Sequence, residues 1–131
     1  MSNLRLKAMV DAVMLLACIS SSAALAESLV DVDPQHVQLV FENDCVRVVH
    51  GKYGPGEKAP SPYQSIGSTI IALTDVKFQR TREGEQPATI TKKAGETWWV
   101  SPAKVTSLVN LSDKPVEWIS VAPKGKTGCA K

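Results

Sequence analysis

Lys93 to Ala122 reads KAGETWWVSPAKVTSLVNLSDKPVEWISVA. Three runs in it, Glu96 to Ser101, Val105 to Leu111 and Val116 to Ala122, are rich in Val, Thr, Ile and Trp and are separated by the turn formers PAK and SDKP. None carries a helical period, and side chains on a strand alternate between two faces. Trp98 and Trp99 are adjacent, so one belongs to a core and the other to an outer face or an interface; Trp118 shares its face with Val116.

Working toward the N-terminus, the same grammar repeats. Strand-like runs occupy His36 to Glu42, Cys45 to Tyr53, Ser68 to Thr74, Val76 to Thr81 and Ala88 to Lys93, with Gly and Pro at most of the bends. The longest connection, PGEKAPSPYQSIGST (Pro55 to Thr69), is crowded with proline and glycine and has Glu57 as its single acid. Eight strands in succession with no helix to cross over predict an antiparallel sandwich or barrel. A chain of 131 residues has room for one such domain.

The order of these pieces resembles the small single-domain cupins. FENDCVRVV, beginning at Phe41, looks like their entry strands, Pro55 to Lys58 like the opening of their first motif, and Gly95, Pro102 and Asn110 like the anchors of the second. The resemblance spans Phe41 to Lys124 and implies an all-β, antiparallel double-stranded β-helix, a jelly-roll barrel of the RmlC-like kind, with its site in the open interior. It also implies where a metal would sit, because such barrels carry a His-x-His pair at the end of the first motif, a glutamate soon after, and another histidine beyond the second motif's proline. Two imidazoles on alternate residues aim at one point, and a facing strand adds a third nitrogen. Here those positions hold Pro62 and Gln64, no acid between Gln64 and Leu73, and Thr106. No metal and no cofactor are therefore expected.

The histidines that do occur, His36 and His50, lie on different predicted strands. His50 shares a face with Val46 and Val48, so it is expected to enter the barrel, as a hydrogen-bonded core residue in preference to a ligand or base. Asp31, Asp33, Glu42, Asp44, Glu83 and Glu85 read as solvated carboxylates, and the basic group Lys77, Arg80, Arg82, Lys92 and Lys93 as a solvent face of one hairpin. No serine lies in a nucleophile elbow, and Cys45 and His50 fall on opposite faces of one strand. No catalytic residue is assigned. What remains is a barrel mouth of Tyr63, Gln64, Thr106 and Asn110, joined by His50, whose hydrogen-bonding groups suit orienting a small polar molecule. Asn110-Leu111-Ser112 also matches a glycosylation sequon.

Residues 1–26 have a basic start (Arg5, Lys7), an apolar run from Ala12 to Ile19 and an Ala24-x-Ala26 site, the pattern of a secretory signal peptide. LLAC, ending at Cys18, is a lesser match to a lipoprotein cleavage box. The chain divides on this reading into the signal peptide, a flexible segment 27–35, the barrel 36–124 and a tail 125–131, exported to a periplasm or secreted, with no membrane-spanning segment after processing. Cleavage leaves Cys45 and Cys129, either bridged or as a buried thiol and a loose one. It also leaves 13 Lys and Arg against 12 Asp and Glu, a net charge of +1 that removes the main support for a nucleic-acid partner.

Three functional classes follow: a metal-independent binding or accessory module for a small polar molecule; an oxidoreductase or isomerase using a metal on unconventional ligands such as His50 and Gln64; and a structural or interaction protein that pairs as a homodimer.

Overall fold

The computed structural model describes residues 27–125 and Cys129. The expected signal peptide, with Cys18, lies outside the described residues. Nine strands follow one short helical turn: α1 (Leu29–Val32), β1 (Val37–Glu42), β2 (Val46–Tyr53), β3 (Tyr63–Ser65), β4 (Ser68–Ala72), β5 (Val76–Arg82), β6 (Ala88–Lys92), β7 (Thr97–Val100), β8 (Ala103–Asn110) and β9 (Val116–Pro123). They build a five-stranded sheet in the order β1-β2-β9-β4-β7 and a four-stranded sheet in the order β3-β8-β5-β6. Every pairing is antiparallel, and the central pairings join strands distant in sequence, as in β2 with β9 and β5 with β8. The expected jelly-roll barrel is the observed architecture.

β3 is the strand that the sequence hid, three residues inside the proline-rich loop, paired with Ala103 to Val105 of β8. The preceding stretch of that loop runs along the other end of β8: Ala59 N–H donates to Leu108 O at 2.9 Å, and Lys58 bridges to Val109. Gly56, at φ 72°, makes the bend that starts this run. The loop thus covers backbone that an edge would leave unpaired.

Residues 27–35, expected to be a flexible segment, carry the α1 turn. The Asp31 carboxylate accepts from both the Ser28 backbone N–H (3.0 Å) and the Ser28 hydroxyl (2.6 Å), and these bonds hold Asp31 below the usual carboxylate range despite slight desolvation. Leu29, Val30 and Val32 pack against the core. Asp33 is buried and not solvated, because the Tyr53 hydroxyl donates to it at 2.6 Å. At the far end, a disulfide joins Cys45 to Cys129 with Cα atoms 5.2 Å apart.

One half of the interior is filled by a column of rings. His36 stacks on Tyr53 (centroids 5.0 Å apart), Tyr53 on Trp118 (5.6 Å), and Trp118 meets the edge of Phe78 from the opposite sheet (5.4 Å). The Trp118 indole lies over Gly51, where an added Cβ would fall inside the ring. A glycine on β2 is what lets so large a side chain lie flat against the sheet.

Candidate functional site: a cavity between the sheets

The other half of the interior is open. A cavity of about 130 Å³ lies between the sheets. Its walls are mostly apolar, with Ile70, Phe78, Ile90, Leu108 and Trp118 among them, and the α1 turn contributes Leu29 and Val30. Its charged lining consists of Arg47 and Arg80, with no carboxylate. Tyr63, Gln64, Ser68, Trp98 and Ser120 supply the main neutral polar groups.

The strand period explains why these side chains meet. On β5, Val76 and Phe78 are buried, so Arg80 and Arg82 project to the same inner face. Cross-strand partners confirm the side: Arg80 sits opposite Leu108, and Phe78 opposite Ile90. The reading of this basic group as one solvent face is thus corrected. Lys77 points outward, Lys93 pairs outside with Asp75, but Arg80 lines the cavity. Alternation from Val76 was the available signal, and clustering by sequence neighbourhood masked it.

The two cavity arginines differ in their surroundings. Arg47 pairs with Glu42, which also lies 3.3 Å from the Lys124 ammonium; this cationic neighbourhood, the Arg47 hydrogen bond foremost, holds Glu42 below the usual carboxylate range. Arg80 forms no ion pair and no side-chain hydrogen bond with a described residue. Desolvation first, and the neighbouring Arg82 second, press its pKa below the ordinary guanidinium value, though it remains a cation. Burial pushes the Tyr63 phenol well above its ordinary pKa, with Arg80 pulling the other way. Trp98 Nε1 is buried with no acceptor, and the Lys92 ammonium stands 5.5 Å from the centre of its ring.

The expected mouth residues separate into two groups. Tyr63 and Gln64 line the cavity, although the Gln64 amide is engaged with Ser65 O at 3.1 Å. Thr106 faces out, its hydroxyl donating to Thr81 O at 3.3 Å. Asn110 is buried but belongs to the frame: its two amide N–H groups are shared among the carbonyls of Tyr53 (3.2 Å), Gly54 (2.9 Å) and Lys114 (2.9 Å), while its oxygen accepts from Ser112 N–H. That engagement also removes the Asn110 amide from the surface, where a glycosylation acceptor must be. His50 is on the outer face, its Nε2 2.7 Å from Glu117 Oε1. The inward side of β2 is taken by Arg47, Val49 and Gly51, so the pattern Val46-Val48-His50 was assigned to the wrong side. His50 and Gln64 therefore do not converge. Trp98 is the inner tryptophan of its pair and Trp99, 55% exposed, the outer one.

Among the described residues no three His, Cys, Asp or Glu side chains are grouped to hold a metal ion. The donors that line the cavity are cations, hydroxyls and an indole N–H, a set that repels a divalent cation and offers it no imidazole or carboxylate. This lining does not fit the metal of metal-bearing cupins.

No family model matches the sequence, and no curated protein matches it. Solved structures do match. A cupin domain from Bordetella pertussis is similar at 16% identity and a TM-score of 0.60, over 68% of this chain and 92% of that one. An RmlC-like cupin family protein with a double-stranded β-helix fold, from Methanocaldococcus jannaschii, is similar at 22% identity and 0.52, over 66% and 77%. The polyketide cyclase RemF from Streptomyces resistomycificus is similar at 14% identity and 0.50, over 66% and 63%. At such identities the likeness concerns architecture, and architecture does not carry activity with it. With its two antiparallel sheets, β3 completing the second, and a cavity between them, the chain is a double-stranded β-helix of the cupin fold.

Proposed function

We propose that this chain is an exported barrel that takes a small molecule into its interior and works without a metal, as a binding or accessory module. The observation that carries this reading is the cavity of about 130 Å³, walled by both sheets and lined by cations and neutral donors in place of metal ligands. Its largely apolar wall favours a ligand with an apolar body over the small, wholly polar one expected from the sequence. Export is supported by the signal-peptide grammar of residues 1–26 and by the Cys45–Cys129 bridge, a bond that persists in oxidising compartments.

Two measurements on untagged protein, purified without chelators, test the reading together. Elemental analysis is expected to find far less than one transition metal per chain. Thermal shift against a fragment panel is expected to raise Tm for compounds that enter the cavity, since a ligand that binds the folded state alone stabilises it. One metal per chain held inside the barrel would overturn the reading and restore the metal-dependent enzyme.

A paired form has separate support. Leu39, Val40 and Phe41, on edge strand β1, are each about half exposed, as expected of a strand that meets a second copy. Sedimentation at high concentration is expected to show a dimer; a monomer there removes the pairing.

A further inference from the structure

We propose that the cavity is a site for a small organic acid, a monocarboxylate with an aromatic or branched apolar body, and that Arg80 holds its carboxylate. This rests on the small-molecule reading above and gives it a ligand class.

The argument begins with charge. Two guanidinium groups line the cavity and no carboxylate does. Arg47 has Glu42 beside it, but Arg80 forms no ion pair or side-chain hydrogen bond with a described residue; Arg82 lies on the same inner face, and Glu85 acts on Arg80 only through space and more weakly than Arg82 does. Withdrawing a cation from water without a partner costs free energy, and a second cation alongside raises that cost. An anion delivered by the ligand would offset both. Arginine is suited to this, because its planar fork meets both oxygens of a carboxylate at once.

Neutral donors point the same way. Trp98 lines the cavity from the five-stranded sheet, and its Nε1–H is buried without an acceptor. Tyr63 and Arg80 line it from the four-stranded sheet. A wall whose open groups, the Tyr63 hydroxyl and the Arg80 guanidinium, are donors calls for an acceptor against it, while Trp98 contributes the face of its ring to the opposite wall.

The remaining wall selects the body of the ligand. Ile70, Phe78, Ile90, Leu108 and Trp118 would leave a bare inorganic anion surrounded by hydrocarbon, whereas a ring or branched chain gains burial there. Trp98 and Trp118 line the same space, so occupancy should be visible in tryptophan emission.

Benzoate, its neutral isostere benzamide and inorganic phosphate are the probes, titrated by calorimetry and by tryptophan fluorescence into the purified protein. Benzoate is expected to bind at least about tenfold tighter than benzamide, and Arg80→Gln to weaken benzoate by roughly ten- to a hundredfold while leaving benzamide unchanged. Arg80→Lys, which keeps the charge and loses the fork, should fall between. Equal binding of benzoate and benzamide, or benzoate affinity untouched by Arg80→Gln, would overturn the acid assignment and leave the small-molecule reading standing. Phosphate binding as tightly as benzoate would overturn the apolar body. If neither benzoate, benzamide nor any neutral fragment binds, both readings fall. Should Arg80→Gln not fold, the benzoate-to-benzamide ratio of the unaltered protein decides the matter.

Discussion

The two halves of the barrel interior treat polar groups in opposite ways. In the filled half the bonds close on one another: the Tyr53 hydroxyl donates to Asp33, Asp33 is bonded to His36 Nδ1 at 2.9 Å, and His36 Nε2 lies 2.7 Å from Glu57. Burial, and then Asp33 as acceptor, push the Tyr53 phenol far above its ordinary pKa, so it stays a donor. Asn110 completes that half with four side-chain bonds. In the open half, Arg80 forms no ion pair and no side-chain hydrogen bond, and Trp98 Nε1 has no hydrogen-bond partner, among the described residues. Closed networks hold a fold together, whereas an unpaired cation lining a cavity contributes little stability and is available to a ligand.

The comparison is broken or sharpened most strongly at Asn110. Asn110→Ala takes the side-chain donor from the Tyr53 and Lys114 carbonyls and the acceptor from Ser112 N–H at a position that is 1% exposed, while Gly54 O keeps the Glu57 N–H. A loss of about 3 kcal/mol is expected in urea unfolding, from the desolvation left uncompensated. A loss below about 1 kcal/mol would mean that the filled half does not depend on its polar bonds.

In the open half, Arg80→Leu should have the opposite sign. Removing an unpaired cation from a partly desolvated site is expected to leave stability unchanged or raise it by about 1 kcal/mol in the same assay. A loss of about 2 kcal/mol would make Arg80 part of the frame and erase the contrast between the halves.

The smallest effect concerns pH. Hydrogen bonding to Asp33 raises the His36 pKa above its ordinary value against some desolvation, and the Asp33 and Glu57 charges add to it. A folded pKa above the unfolded value of about 6.5 means that the folded state binds more proton, so this contribution is complete below pH about 6.5 and is lost as pH rises through the folded value. Solvent screening at the part-exposed ring keeps it under about 1 kcal/mol. Urea midpoints measured across that window should decline, and His36→Gln should flatten the decline. A slope unchanged by the substitution would place the titration elsewhere.

Much of the fold was legible along the chain. The alternation in TWWV, the Gly and Pro at the bends and the succession of eight runs are local signals, and each of the eight has its strand in the barrel. Tyr63 and Gln64, read as mouth residues from the order of the loop before Ser68 to Ala72, line the cavity. Arg80 was misread because it was grouped with its sequence neighbours, Thr106 because the resemblance placed it, and His50 for a reason of strand geometry. Alternation divides a strand's residues into two sets without saying which set faces in. Flanking valines marked the wrong set on β2, where the inner positions carry Arg47 and a glycine making room for Trp118.

The eight strand-like runs and the turns between them were therefore properties of the chain, because they depend on residues within a few positions of one another, while the jelly-roll order was carried by the resemblance. The inward face of each strand, the closed chain of bonds from Tyr53 to Glu57, and the meeting of Arg80 with Trp98 across one cavity were decided by folding. These depend on strands far apart in sequence pairing in one register, and on two sheets bringing together side chains that no local pattern connects.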